Sequence, residues 1–457
     1  MKRRSFLQGT ALGIGTGLLG SFVFNNSRSG GANNSRPNII ILVADDMRWD
    51  CLGIMGDRVI NTPTLEQLAK EGTLFRNNFV TTSICPTSRA SIFTGQYARR
   101  HKIWDFNIPL TAEQFNLSYM GQLEKSGYKI AFIGKWGLGG KLPVDEFNYW
   151  RGYEGQGQYF APDRQEHLTD LDTSQALKFI KITTEQPFCI SLSYKAPHAQ
   201  DGAEEPFQPQ KKFASEYEGI TIPAIATNTE KHFQKLPQFL QNSEGRKRWI
   251  GRFDEAKYTH SVKQYYRLIS GIDDSIAQII SALKQKNILQ NTWIIFTSDN
   301  GFFLGDRGLS DKWIGYEESI RTPLIIKPPT LPGKQLIEAM TLNIDIAPTI
   351  LAIAGLEPPS VMQGKSLLGL MGNETTKLRE EWLYEYLCPT PNIPKSEGIR
   401  TENYKYIKYL VAGPDTEMLY DLTNDPFEEN NLINEPGHQG KLQQMRNSLN
   451  QYRQQVS

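Results

Sequence analysis

Asn38-Ile39-Ile40-Ile41-Leu42-Val43-Ala44-Asp45-Asp46 is an apolar run that ends on two adjacent carboxylates. A run of this length without a polar face reads as a strand covered on both sides. Lys129–Ile133, Phe188–Tyr194, Trp293–Thr297 and Pro323–Lys327 share its texture. Helical patterns lie between them at Thr64–Lys70, Leu117–Lys125, Thr173–Ile182, Gln264–Lys284 and Ile344–Ala354. Apolar strands alternating with amphipathic helices predict an α/β fold, a large and mostly parallel sheet flanked by helices.

Texture changes elsewhere mark the organisation. After Gly355 the breaker Glu357-Pro358-Pro359 is followed by short aromatic runs at Glu381–Tyr386, Tyr404–Tyr409 and Met418–Tyr420. These predict a small antiparallel sheet over 357–457, closed by a helix near Lys441–Tyr452, beside a main domain over 36–356. Residues 199–260 are long, polar and weakly periodic, the mark of a lid-like insertion. Within it, Arg246-Lys247-Arg248-Trp249 mixes cations with an aromatic ring. Residues 1–35 stand apart. Lys2-Arg3-Arg4-Ser5-Phe6-Leu7 resembles a twin-arginine export signal, and the Asn/Ser/Gly stretch after it reads as a spacer. That implies an exported protein, periplasmic or extracellular, touching a membrane only through its signal.

Composition limits the partners. A net charge of +1 in 457 residues argues against nucleic acid, so an anionic substrate must be held by a few placed cations. Four cysteines (Cys51, Cys85, Cys189, Cys388) are too few for a disulfide framework.

In open α/β sheets ligands bind beyond the carboxyl ends of the strands. Here the strands run into Asp45-Asp46, Gly134-Lys135-Trp136, Lys195-Ala196-Pro197-His198 and Ser298-Asp299-Asn300-Gly301. Asp45, Asp46, Asp299 and Asn300 are all-oxygen donors and suit a hard divalent cation, calcium or magnesium.

One further stretch carries chemistry: Ser83-Ile84-Cys85-Pro86-Thr87-Ser88-Arg89-Ala90-Ser91-Ile92-Phe93-Thr94-Gly95. It resembles the signature element of the type I, formylglycine-dependent sulfatases, of alkaline-phosphatase-like fold. Pro37–Asp46, Ala196-Pro197-His198, Thr297–Gly301, Asp311-Lys312-Trp313, Tyr316–Pro323, Asp345–Thr349 and Gly398–Lys405 resemble other segments of that family, in its order. The resemblance implies hydrolysis of a sulfate ester, most readily on a saccharide. It implies that a maturation enzyme converts Cys85 to formylglycine, whose hydrate is the nucleophile and a metal ligand. Asp45, Asp46, Asp299 and Asn300 would complete a calcium site, with magnesium as the other option. Arg89 would position the hydrate, Lys135 and Lys312 would bind the sulfate, and His198 would protonate the leaving alcohol.

Two positions depart from the family's pattern. Thr87 stands where proline is usual, with Pro86 one place early, and Gly137 stands where the Gly-Lys-Trp-His-Leu-Gly element has histidine. His101, close after the Cys85 helix, or a residue of the lid-like insertion is the candidate to take over the proton transfer of that histidine. Two other readings stay open: a phosphodiesterase or phosphonate monoester hydrolase on the same metal frame, and an inactive relative that binds sulfated glycans.

Overall fold

Alternation along the central strand creates two cores. In the computed structural model, which describes residues 36–456 except 58, 331–334 and 415, Asn38–Asp45 is buried along its whole length. Side chains of a strand alternate between faces. Ile40, Leu42 and Ala44 enter one hydrophobic cluster with Ile269, Ile272 and Ile276 of the helix Tyr258–Gln285 and with Phe179 of Leu168–Ile182. Ile39, Ile41 and Val43 enter the other, with Ile92 and Phe93 of Cys85–Thr94 and Ile346 and Ile350 of Ile346–Ile353. Burying each such side chain is worth roughly 1.5–3 kcal/mol. Helices therefore cover both faces, as the continuous apolar run requires.

The main sheet has eight strands, in the order Leu336–Ile337, Thr73–Phe75, Leu324–Lys327, Thr292–Ser298, Asn38–Asp45, Phe188–Pro197, Lys129–Lys135, Tyr149–Tyr153. From Thr292–Ser298 to Tyr149–Tyr153 every neighbouring pair is parallel. Leu324–Lys327 runs antiparallel to Thr292–Ser298, with Ile325 opposite Phe296. Only short elements such as Phe303–Leu304 and Glu317–Ile320 lie between those two strands, and an antiparallel neighbour needs no crossover helix. The expected fold class holds, a mostly parallel α/β sheet plus a small antiparallel one.

Local chemistry adjusts the expected bounds. The helix expected over Leu117–Lys125 is two, Ala112–Leu117 and Tyr119–Lys125. Between them Ser118 is extended, and its hydroxyl accepts from the Gly121 amide at 3.3 Å. The long helix begins earlier than its pattern and spans 28 residues, Tyr258–Gln285.

Glu381–Tyr386, Ser396–Thr401, Tyr404–Tyr409 and Glu417–Asp421 form the small antiparallel sheet in that order. The final helix Gln439–Gln455 contributes Leu442, Met445 and Leu449 to a third cluster shared with Trp382, Ile399 and Tyr406. From Arg36 onward the chain is one compact unit. Among the described residues no helix is long and apolar enough to cross a membrane. The export signal and spacer at 1–35 lie outside the described residues.

Asp345 ties the turn before the helix Ile346–Ile353 to the segment that leads into the small sheet. Fully buried, it accepts from the Leu342 and Lys365 amides, both at 2.8 Å, and from both Arg379 guanidinium nitrogens at 2.7 and 2.6 Å. Replacing Asp345 by alanine leaves a largely buried guanidinium unpaired, a loss of about 3–5 kcal/mol. Urea unfolding of Asp345→Ala should show that drop, and a loss below about 1 kcal/mol would contradict this account of the junction.

Candidate active site

The strand ends converge as the sequence implies. Asp46 turns the chain beyond the central strand at φ +64, a left-handed conformation that aspartate tolerates better than most residues. Its amide donates to Asp299 Oδ1 at 3.1 Å, which locks the ends of two neighbouring strands together. Cys85 opens the helix Cys85–Thr94, with Pro86 in the first turn, where a missing N–H costs nothing. Gly95 closes that helix at φ +65, its amide donating to the Ser91 carbonyl at 2.9 Å.

Nine residues singled out from the sequence meet in one buried cluster, none more than 3% exposed. Cys85 Sγ lies 3.3 Å from Asp45 Oδ1, and Asn300 Nδ2 lies 3.6 Å from Sγ. Arg89, one turn along the helix, donates from Nε to Asp299 Oδ2 at 2.8 Å and from Nη1 to the Lys135 carbonyl at 2.8 Å and to Ser193 Oγ. Lys135 Nζ donates to Asp45 Oδ2 and, at 2.6 Å, to Gln156 Oε1. Lys312 Nζ donates to Asp46 Oδ2, and His198 Nε2 lies 3.4 Å from the same oxygen. The Ala199 carbonyl accepts from His198 Nδ1, which leaves Nε2 as the nitrogen facing the cluster.

Crowding of like charges sets the electrostatics. Burial and the neighbouring Asp45 and Asp299 push Asp46 up to about 8. Burial and Asp45 raise Asp299 as well. Burial also pushes on Asp45, but the cations around it, Lys135 foremost, hold it well below the usual carboxylate range. Burial and the Asp45 carboxylate raise the Cys85 thiol, so the unmodified side chain is a protonated thiol and a poor nucleophile. Burial and the Lys312 ammonium hold His198 well below its ordinary value.

The residues fit a hard cation. Donor atoms of Asp45, Asp46, Cys85 and His198 all lie within 4.8 Å of one another. Asn300 Oδ1 is buried among these carboxylates without a hydrogen-bond partner. An orphaned amide oxygen beside three carboxylates is a ready ligand position.

Other expectations fare differently. His101 is buried, its Nε2 3.1 Å from Ser91 Oγ and its Nδ1 accepting from the Ile103 amide at 3.0 Å. Burial drives it down to about 3, so it is a neutral core imidazole, and it does not replace the histidine missing at Gly137. Gly137 itself, at φ +77, has Arg89 against it: a Cβ there would lie 2.6 Å from Arg89 Cδ. Thr87 is buried with its hydroxyl unpartnered. In the 199–260 segment the cation–aromatic run lies on the helix Glu244–Arg252. Arg246 stacks between Phe233 and Trp249, a packing role. Arg248 and Arg252 instead grip Asp311, at 3.0 and 2.5 Å, next to Lys312. Asp311 and Trp313 flank Lys312 at φ +71 and +78, strain of the kind that collects at functional sites. A cavity of about 370 Å³ lined by His232, Arg307, Tyr316 and Glu428 includes none of the nine residues.

Two residues of the cluster carried no role from sequence. Gln156 sits in a loop without a motif. Lys195 was visible at a strand end, but nothing in its spacing distinguished it from a solvated lysine.

With this geometry in hand, comparison with known proteins is informative. The sulfatase family profile matches residues 37–356, and that of the N-sulphoglucosamine sulphohydrolase C-terminal region matches 305–455. An N-acetylglucosamine-6-O-sulfatase of Bacteroides thetaiotaomicron is 28% identical over 90% of this chain and 85% of its own. A solved complex of an enzyme with its substrate D-glucosamine-2-N,6-O-disulfate superposes with a TM-score of 0.82 at 26% identity, over 92% of this chain and 98% of the other. The phosphonate monoester hydrolase of Agrobacterium radiobacter shares the fold, with a TM-score of 0.78 at 22% identity over 92% and 96% of the two chains.

Cation binding should depend on pH with a definite sign. A carboxyl raised to about 8 carries a proton below that value, and a cation must expel it. Calcium at about 100 times its dissociation constant adds about 2.7 kcal/mol of stability. The increment should be present at pH 8.5 and shrink as pH falls towards 6. Thermal melts with calcium and with chelator at both values check this, and equal shifts would contradict it.

Proposed function

The chain belongs to the sulfatase family and is a sulfuric ester hydrolase; from that premise we propose that it removes sulfate from a carbohydrate by way of a formylglycine at position 85. The observation that carries this reading is the meeting of Cys85 with three carboxylates, Asn300, Lys135, Lys312 and His198 in one buried cluster. The saccharide class is supported by the glucosamine-directed matches in sequence and in structure. The export-like segment at 1–35 supports action outside the cytoplasm, where polymeric sulfated sugars are met.

Conversion of Cys85 to an aldehyde, hydrated to a gem-diol, supplies an oxygen nucleophile that a protonated thiol is not, and its second hydroxyl allows sulfate to be expelled again. Asp45, Asp46, Asp299, Asn300 and residue 85 would hold a calcium-like ion, which would supply Lewis-acid polarisation. The remaining work belongs to this chain's own side chains. Arg89, one helical turn beyond residue 85, would position its hydrate, and it pairs with Asp299. Lys135 and Lys312, which here bond Asp45 and Asp46, turn to the sulfate oxygens and offset the charge that builds as sulfur is attacked. His198 presents Nε2 to the leaving oxygen, its tautomer set by the Ala199 carbonyl. An arriving sulfate anion favours its protonated form and offsets the depression caused by burial and Lys312. Residues 199–260, anchored through Arg248 and Arg252 on Asp311, exclude water above the site.

The decisive experiment joins two readings on protein made with a formylglycine-generating enzyme. The mass of the Cys85 peptide reports whether Thr87 permits maturation, and sulfate release from defined sulfated glucosamines reports turnover. Faster cleavage of an aryl phosphodiester would favour the phosphodiesterase reading. Formylglycine and saccharide binding without any release would favour an inactive binder.

The acid role of His198 has its own signature. Against a saccharide or alkyl sulfate, whose leaving group must be protonated, His198→Ala should cost about 10²–10⁴-fold in rate. Against 4-nitrophenyl sulfate, whose anion leaves unaided, the loss should be much smaller. Equal losses on both substrates would remove His198 from the acid role.

A further inference from the structure

Lys195 is held in the cluster by an irregularity of the sheet. Phe188–Pro197 follows the central strand residue for residue from Ile39 opposite Cys189 to Val43 opposite Ser193. The next pair is Asp45 opposite Pro197, so one strand advances two residues while its neighbour advances four. Extra residues in a bulge re-aim side chains, often beside active sites. Lys195 sits in the middle of this one.

Its ammonium is 1% exposed as a residue, lies 5.1 Å over the Tyr159 ring, and has no hydrogen-bond partner. Tyr159 and Lys195 both hold His198: the Tyr159 hydroxyl donates to the His198 carbonyl at 2.7 Å, and the Lys195 carbonyl accepts from the His198 amide at 3.0 Å. The charges acting on Lys195 are those of Lys135, Asp45, Asp201 and Asp46, and burial with Lys135 beside it pulls its pKa down to about 8.

The cluster's carboxylates are already engaged. Lys135 holds Asp45, Lys312 holds Asp46 and Arg89 holds Asp299. Among the described residues Lys195 is the cation of the site that lacks an anion. Three N–H donors buried without an acceptor destabilise the free protein, and an anionic ligand would relieve that cost. Sulfate is an anion that the site, on the reading above, exists to bind.

We propose that Lys195 is a substrate-binding residue, its ammonium contacting an oxygen of the sulfate group alongside Lys135 and Lys312. This rests on the sulfate-ester reading and adds a third cation to it. It acts from the strand that also leads into His198.

The test uses Lys195→Met and Lys195→Arg in the mature, calcium-loaded protein. Methionine keeps the stem over Tyr159 and removes the charge. Its melting temperature without sulfate should equal or exceed that of the wild type. Its affinity for inorganic sulfate, read by calorimetry, should fall about tenfold or more, as should kcat/KM on 4-nitrophenyl sulfate. Lys195→Arg should recover part of both. Sulfate affinity unchanged in Lys195→Met, or a variant that melts early while binding sulfate normally, would make Lys195 a packing residue and overturn the assignment. A wild type that neither binds sulfate nor cleaves the aryl ester would defeat the functional reading, and this assignment with it.

Discussion

The site hangs on the Arg89 guanidinium. From the helix that begins at Cys85 it reaches Asp299 Oδ2, the Lys135 carbonyl and Ser193 Oγ, and lies 3.6 Å from Asp45 Oδ2. Those contacts lie at the ends of the strands Thr292–Ser298, Lys129–Lys135, Phe188–Pro197 and Asn38–Asp45. A buried guanidinium with rigid donors fixes those four ends relative to one another and to Cys85. Removing it would leave Asp299 buried and unpaired, which is far costlier than an exposed pair would be. In this chain the arginine stem lies against Gly137, where a Cβ would sit 2.6 Å from Arg89 Cδ.

Around this hub, like charges are brought closer than they would choose. Asp45, Asp46 and Asp299 are gathered by the tight parallel spacing of their strands, and Asp46 and Asp299 are raised in consequence. The cations that face them are part of the solution. On the proposed reading, a sulfate group bound between Lys135, Lys312 and Lys195 would meet charge that is already desolvated and does not have to be ordered. Rigidity has local costs, visible in the left-handed backbones of Asp46, Asp311 and Trp313. The small sheet and residues 199–260 hold the turns at Asp311 and Trp313 in place, through the Trp313–Tyr384 and Asp311–Arg252 contacts.

Much of this was legible because strand ends are simple to read. A run such as Asn38–Val43 has one sensible secondary structure, and parallel strands deliver whatever follows them to one edge. Asp45, Asp46, Lys135, His198, Asp299 and Asn300 were placed by that rule alone. Cys85, Arg89 and Lys312 needed the family resemblance, since a helix start and a loop carry no comparable geometric rule. His101 misled because nearness along the chain says nothing about which way a short helix turns its ring. Arg246 could not be assigned from sequence, because a cation beside an aromatic reads the same whether it stacks inward or faces solvent. Gln156 was missed, and Lys195 was seen at a strand end without a role, for a related reason: one depends on where a loop folds back, the other on a bulge that no periodicity announces.

By itself, then, the sequence determined the layers of the fold, the edge where chemistry gathers and the types of group found there, because these follow from local hydrophobicity and strand polarity. The tertiary structure decided which of those groups are paired and which are left wanting a partner. It made His101 a core residue and left Asn300 Oδ1 and the Lys195 ammonium unsatisfied. Pairing depends on distances of a few ångströms between residues far apart in the chain, and burial magnifies each match or mismatch, so it exists only once the strands have been brought together.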